Sequence, residues 1–221
     1  MSTTTIARVK DDSRVEAPAG IAGVALLAMA VLAAFGNFVV IEAVVVDGDP
    51  LATAENIDSA GTLFTVGLLS MYIVVLLDVL VAWALTLTFE PVDAPLARLA
   101  GWLRLAYAGV FMVAIAALAG GDGVAFERTW QAGLLLFGAS LVVVGWLTVR
   151  CAWLPSWLGA LVMIAGAGYV LDSIVGTLMS DPAVQVSAIT FIGEVLLAVW
   201  LVMRWARSRR GVSHELADMS G

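Results

Sequence analysis

This chain of 221 residues is too apolar to be an ordinary water-soluble protein, because 62% of its residues are hydrophobic and 13% are charged. A soluble domain is about half apolar and roughly a quarter charged. The formal net charge is −7, and the bases form no patch beyond the Arg-rich C-terminal end, which excludes an ordinary nucleic-acid binder. The single cysteine, Cys151, excludes an internal disulfide framework.

The chain begins with a polar segment, residues 1–18, which is predicted to be a mobile tail. Six apolar stretches follow, and each approaches or exceeds the roughly 20 residues that a helix needs to cross a ~30 Å hydrocarbon core. Between the first two stretches, the pair Asp49-Pro50 predicts a helix that begins outside the membrane. The six predicted spans are residues 20–46, 60–88, 96–119, 132–150, 157–179 and 185–206.

These elements predict an all-α fold, a polytopic membrane helical bundle with six transmembrane helices. The transmembrane domain is predicted to cover residues 19–206, with a C-terminal tail at 207–221. Ten of the eleven Lys and Arg residues lie in the two tails or in the segments that would share their side of the membrane. Because basic residues concentrate on the cytoplasmic side, both termini are predicted to be cytoplasmic and the protein to lie in the cell membrane.

Charged residues inside the spans are the best clues to function, because each costs about 2.5–3.5 kcal/mol to insert at mid-depth. Asp78 in span 2 and Arg104 in span 3 are equally distant from Pro91 in the predicted turn. In an antiparallel hairpin such residues lie at the same depth, so a salt bridge is predicted. Its simplest role is a structural ion pair, and the alternative is a part in gating or substrate binding.

A second set of charges is predicted in the outer half of the membrane. Asp172 and Glu194 are equally distant from position 183, beside Pro182, so they are predicted to face each other and to share a proton. Glu42 in span 1 and Tyr169 in span 5 are predicted to join them. The functional interpretation is an outward-facing cavity for a proton, a small cation or a basic ligand. The alternative is that these groups only form hydrogen bonds between helices.

The sequence predicts neither a cofactor nor a metal site within the bundle. The only histidine, His214, lies in the C-terminal tail, which argues against a haem or zinc site of the usual kind. No credible nucleophile and base are paired, so no catalytic residue is predicted and an intramembrane enzyme is the least favoured function. The expected partner is the lipid bilayer, with other membrane partners open.

Several short motifs, in order, resemble those of the bacterial membrane family called domain of unknown function 4386. The resemblance runs from about residue 20 to 206. It implies a multi-pass membrane protein without an established activity, and it supplies no catalytic residues. The motifs that carry it are Gly48-Asp49-Pro50-Leu51-Ala52-Thr53-Ala54-Glu55-Asn56-Ile57, Pro91-Val92, Leu103-Arg104-Leu105, Phe137-Gly138, Leu154-Pro155-Ser156-Trp157-Leu158-Gly159, Gly168-Tyr169-Val170-Leu171-Asp172-Ser173 and Gly193-Glu194.

Two functions of different kinds therefore remain open. The first is a transport or sensing component that binds a proton, a cation or a small basic ligand. The second is a structural or regulatory membrane partner that binds no ligand. A cavity lined by Glu42, Asp172 and Glu194 would favour the first, and a sealed bundle would favour the second.

Overall fold

The computed structural model describes residues 3–46, 49–178 and 192–218, and all of the regular structure in these ranges is helical. The all-α prediction is therefore confirmed for this part of the chain. The elements are α1 (Thr3–Ala34), a π-helix (Phe35–Ile41), α2 (Glu42–Val44), α3 (Pro50–Ala60), α4 (Thr62–Phe89), α5 (Ala94–Ala119), α6 (Gly123–Arg150), α7 (Ser156–Leu178) and α8 (Ile192–Asp218).

Five helical segments in the described ranges are long and apolar enough to cross a membrane, which indicates a multi-pass membrane protein. The sixth predicted span, 185–206, begins among residues that the structure does not describe, and α8 continues it from Ile192. The count of six spans thus stays a prediction. The five segments are Val15–Val44, Thr62–Phe89, Ala94–Ala119, Gly123–Arg150 and Ser156–Leu178.

The long helices form a closed ring in chain order. Each packs against the next, from α4 to α8, and α1 closes the ring by packing against both α4 and α8. The outward face of the ring is apolar, as a lipid-facing surface requires, since lipid offers no partners for polar groups. Exposed apolar side chains on this face include Leu76, Trp102, Val113 and Ile164.

Side-chain caps explain two of the helix starts. Asp49 Oδ1 accepts hydrogen bonds from the backbone N–H groups of Leu51 and Ala52, at 3.1 and 3.0 Å. This is the predicted cap of a helix outside the first span. Asp122 similarly accepts from Ala125 N at 2.8 Å. These carboxylates satisfy N–H groups that a helix start otherwise leaves without partners, and Pro50 after Asp49 has no N–H that needs one.

One predicted helix boundary is wrong, and the predicted N-terminal tail has helical structure. The fourth long helix begins at Gly123, not at position 132, so Arg128 is an exposed residue on the first turns of α6 rather than part of a loop. The charged residues around Arg128 lower the local hydropathy, so the sequence predicts a later start. The helix nevertheless begins at Gly123, where Asp122 caps it. The predicted mobile tail, 1–18, is helical from Thr3, with Pro18 inside the helix.

The tightest helix contact joins α6 and α7 through two pairs of glycines. Gly138 faces Gly166, and Gly145 faces Gly159 one heptad further along the antiparallel pair. A methyl group built on any of the four would lie only 2.5–2.7 Å from the carbonyl oxygen of its partner glycine. Because small residues let membrane helices approach closely, this seam draws α6 and α7 together and fixes their register.

A buried ion pair and an acidic aromatic cavity

The hairpin of α4 and α5 carries an ion pair in its interior. Arg104 Nε donates to Asp78 Oδ1 at 2.5 Å, and both side chains are only 1% exposed. The Arg104 guanidinium also lies over the ring of Phe137, 4.9 Å from its centroid. The structure thus brings together the two residues that the equal-depth argument paired, and α6 covers them with an aromatic face.

The helix ring contains a partly open cavity of about 160 Å³ next to this ion pair. Its walls come from α1, α4, α5, α6, α7 and α8, and they are mostly apolar. The polar groups among them are two carboxylates, two phenols and one indole. The lining residues are Leu26, Met29, Ala30, Ala33, Val74, Asp78, Tyr107, Phe111, Trp130, Leu134, Phe137, Tyr169, Glu194 and Val195.

Five of these lining residues are aromatic, and their rings touch one another in a continuous series. We call Tyr107, Phe111, Trp130, Phe137 and Tyr169 the aromatic wall. Ring centroids are 4.8 Å apart for Tyr107 and Phe137 and 5.1 Å apart for Phe137 and Tyr169. Phe111 joins Tyr107 at 5.8 Å and Trp130 at 6.3 Å. Such spacing holds the rings rigidly against each other.

Glu194 is the second acid in the cavity wall, besides Asp78. It lies near the described start of α8, and its side chain is 7% exposed. A carboxylate buried to this degree ordinarily accepts hydrogen bonds. Among the described residues, however, the Oε1 atom of Glu194 has no hydrogen-bond partner.

The charges around the cavity do not balance within the described residues. Arg104 is paired with Asp78, and these two are also the charged groups that act on Glu194 through space. One guanidinium therefore faces two carboxylates. The second oxygen of Asp78 and Oε1 of Glu194 lack a partner among the described residues, and so do both Nη atoms of Arg104. The two oxygens belong to residues that line the cavity, whereas Arg104 does not line it. Because a buried acceptor without a partner costs about 1–3 kcal/mol, the arrangement favours a guest that donates hydrogen bonds or carries positive charge.

The structure corrects the predicted separation of Asp78 from Glu194, while the predicted pairing of Glu194 with Asp172 stays a prediction. Glu194 was predicted to pair with Asp172, in the opposite half of the membrane from Asp78. Instead, Glu194 and Asp78 line one cavity. Equal distance from the turn of a hairpin gives the depth of a residue but not the side of the helix on which it lies. In addition, Asp78 lies near the middle of α4 rather than near one end.

The remaining predicted ligand residues differ in position. Tyr169 lines the same cavity as Glu194. Asp172 is buried, but it is not among the lining residues, and its backbone carbonyl accepts from Gln131 Nε2 at 2.5 Å. Glu42 is exposed and lies outside the cavity wall. A ligand role for Asp172 or Glu42 stays a prediction.

Sequence reasoning missed most of the aromatic wall. Trp130 lies about two turns into α6 and in the cavity wall, and the sequence did not single it out. Tyr107 offered a signal, because it follows Arg104 by three residues and so shares its face of α5. Phe111 continues that face one turn further.

Comparison with known proteins places most of the chain in one family. The model described as Domain of unknown function (DUF4386) matches residues 21–120 and 124–205. An uncharacterized protein of the archaeon Archaeoglobus fulgidus is 34% identical over 146 residues, which cover 66% of this chain and 88% of the relative. No solved structure matches the chain.

Proposed function

The chain belongs to the DUF4386 family, which has no assigned activity, and from its cavity we propose that it binds a proton or a small cationic ligand inside a membrane-embedded helix ring. Glu194 is the proposed binding group, and the Asp78–Arg104 pair forms the polar base of the site. Binding of this kind suits a transport or sensing component.

One observation carries this proposal: a buried carboxylate lines an internal cavity with one oxygen unpartnered among the described residues. Arg104 does not neutralise Glu194 fully, because Arg104 already contacts Asp78. Ionisable groups inside membrane bundles are rare and expensive, and they commonly mark the path of an ion or a proton. A guest cation would satisfy the free oxygen and balance the second carboxylate.

Glu194→Gln is expected to abolish stabilisation by cations. In purified wild-type protein, a bound cation should raise the free energy of unfolding by about 2.7 kcal/mol at a concentration 100-fold above its Kd. Thermal unfolding in detergent measures this across a series of sodium, potassium, ammonium and alkylammonium salts. If the guest is a proton, pH should change wild-type stability and leave Glu194→Gln less affected.

The matched control is Glu90→Gln, which makes the same chemical change at a partly exposed acid paired with Arg98. This variant should keep the full response to cations. If wild type and Glu194→Gln respond alike to every salt and to pH, the proposed binding function is wrong. The cluster would then serve packing between helices, as a structural or regulatory partner requires.

We also propose that the end of the ring that carries Arg150, Arg204 and Arg209, which we call the Arg-rich end, faces the cytoplasm. The helix α3 then lies outside the cell. Three arginines at the Arg-rich end stack on tryptophans: Arg150 on Trp146 at 4.9 Å, Arg204 on Trp153 at 4.4 Å and Arg209 on Trp205 at 4.7 Å. Tryptophan and arginine together suit the headgroup region of the cytoplasmic leaflet. The segment that contains α3 carries acids and no base.

Cysteine labelling tests this orientation. In intact cells a membrane-impermeant maleimide should label an Asp58→Cys variant, because Asp58 is exposed on α3. It should label an Arg98→Cys variant only after the cells are permeabilised. Both variants are made in a protein in which serine replaces Cys151, so that no other thiol can be labelled. Burial already raises the pKa of the Cys151 thiol and so slows its reaction with the maleimide. Labelling of the Arg98→Cys variant in sealed cells would reverse the orientation.

A further inference from the structure

Building on the proposed function, we infer that the ligand is a small ammonium ion with apolar substituents, held between the aromatic wall and Glu194. The inference concerns the chemical class of the cation, which the carboxylates alone do not define.

The first step is the composition of the walls. Aromatic rings attract cations through the negative charge of their faces, and several rings around one space are the usual recognition site for alkylated ammonium groups. Here five contacting rings line the same cavity as two carboxylates. The rings would contact the apolar substituents, and the carboxylates would balance the charge.

The second step concerns how these rings are held. Trp130 is packed between Phe111 and Phe126, with ring centroids 6.3 and 5.7 Å away. Tyr169 makes an edge contact with Phe137, whose ring also packs against Tyr107. The wall is therefore ordered before a ligand arrives, which lowers the entropy cost of binding.

The third step is to compare other guests. A bare Na⁺ or Ca²⁺ needs several oxygen ligands, and within the described residues no group of three or more metal-binding side chains comes together. An anion would meet two acids, while the one nearby cation, Arg104, contacts Asp78 and is not among the lining residues. A neutral apolar molecule would leave both carboxylate oxygens unsatisfied.

The fourth step is size. The cavity of about 160 Å³ resembles in volume an engineered protein cavity of ~150 Å³ that binds benzene. It therefore fits an ammonium ion with a few methyl or ethyl groups and excludes a long polyamine. Tetramethylammonium is a suitable probe because its charge does not depend on pH.

Calorimetric titration of the purified full-length protein tests the inference. Tetramethylammonium should bind wild type at least tenfold more tightly than either sodium or tert-butanol, its neutral counterpart of similar size and shape. Trp130→Leu should weaken tetramethylammonium binding on the order of tenfold, which is the effect of losing one desolvated aromatic face. Trp130→Phe should recover part of the affinity, because it restores a ring.

Trp102→Leu is the matched control, since Trp102 is 68% exposed on the outer face of the ring. This variant should bind tetramethylammonium as tightly as wild type does. Phe111→Leu replaces Trp130→Leu if the latter does not fold. Equal binding of sodium and tetramethylammonium at Glu194 would overturn the ammonium inference and leave cation binding intact. Binding of neither cation, together with insensitivity to pH, would overturn both.

Discussion

Arg104→Ala is expected to lower the free energy of unfolding by about 3–5 kcal/mol, because it leaves the Asp78 carboxylate buried without its cation. Both members of the pair are 1% exposed, so water cannot replace the lost partner at low cost. The double variant Asp78→Ala with Arg104→Ala should be more stable than Arg104→Ala alone, since it removes both charges. Reversible unfolding in mixed detergent micelles measures the free energy of unfolding of wild type, Arg104→Ala and the double variant.

The surface pair Arg98–Glu90 is the control for this experiment. Its Arg98 Nη2–Glu90 Oε1 distance is also 2.5 Å, but its side chains are 57% and 37% exposed. Arg98→Ala should therefore cost about 1 kcal/mol or less. If Arg104→Ala costs no more than Arg98→Ala, or if the double variant is less stable than Arg104→Ala, charge compensation does not explain the buried pair.

Gly145→Val is expected to destabilise the bundle by about 3 kcal/mol, the upper part of the range for overpacking a close contact. A Cβ atom at this position would lie 2.7 Å from the Gly159 carbonyl oxygen, and a backbone atom cannot rotate away as a side chain can. The helices α6 and α7 must then separate along the glycine seam. Detergent unfolding and the yield of monodisperse protein measure the effect.

Gly109→Val tests whether the effect comes from the close contact rather than from the loss of a glycine. Gly109 lies within α5, is exposed, and has open space around the position of an added Cβ atom. Its replacement should change stability little. Equal destabilisation by the two variants would contradict a specific role for the α6–α7 seam.

The sequence was sufficient to predict the helical class and the close approach of Asp78 and Arg104. Long apolar stretches predict membrane helices because the bilayer allows few other structures. The short turn between α4 and α5 fixes the relative depth of residues on the two helices. The equal distance of Asp78 and Arg104 from Pro91 was therefore enough to predict that they lie at the same depth. The sequence did not predict the helix start at Gly123. A hydropathy scale counts the nearby charged residues against a membrane helix and takes no account of the Asp122 cap.

The composition of the cavity could not be predicted in the same way. It depends on which side of each helix faces the centre, and that is set by contacts between helices far apart in sequence, above all α1 with α8. For this reason Tyr169 was predicted beside Glu194, but Asp78 was not. Apart from Tyr107 and Tyr169, the aromatic wall gave no signal in the sequence, because its members lie on three helices and each resembles an ordinary core residue.

The most direct test of cation binding at Glu194 is a crystal structure with tetramethylarsonium, the arsenic counterpart of tetramethylammonium. An anomalous difference map should show an arsenic peak inside the cavity, between the Glu194 carboxylate and the rings of Phe111 and Trp130. The peak should vanish in Glu194→Gln. A wild-type cavity that holds only water at a saturating concentration of the ion would contradict the proposed site.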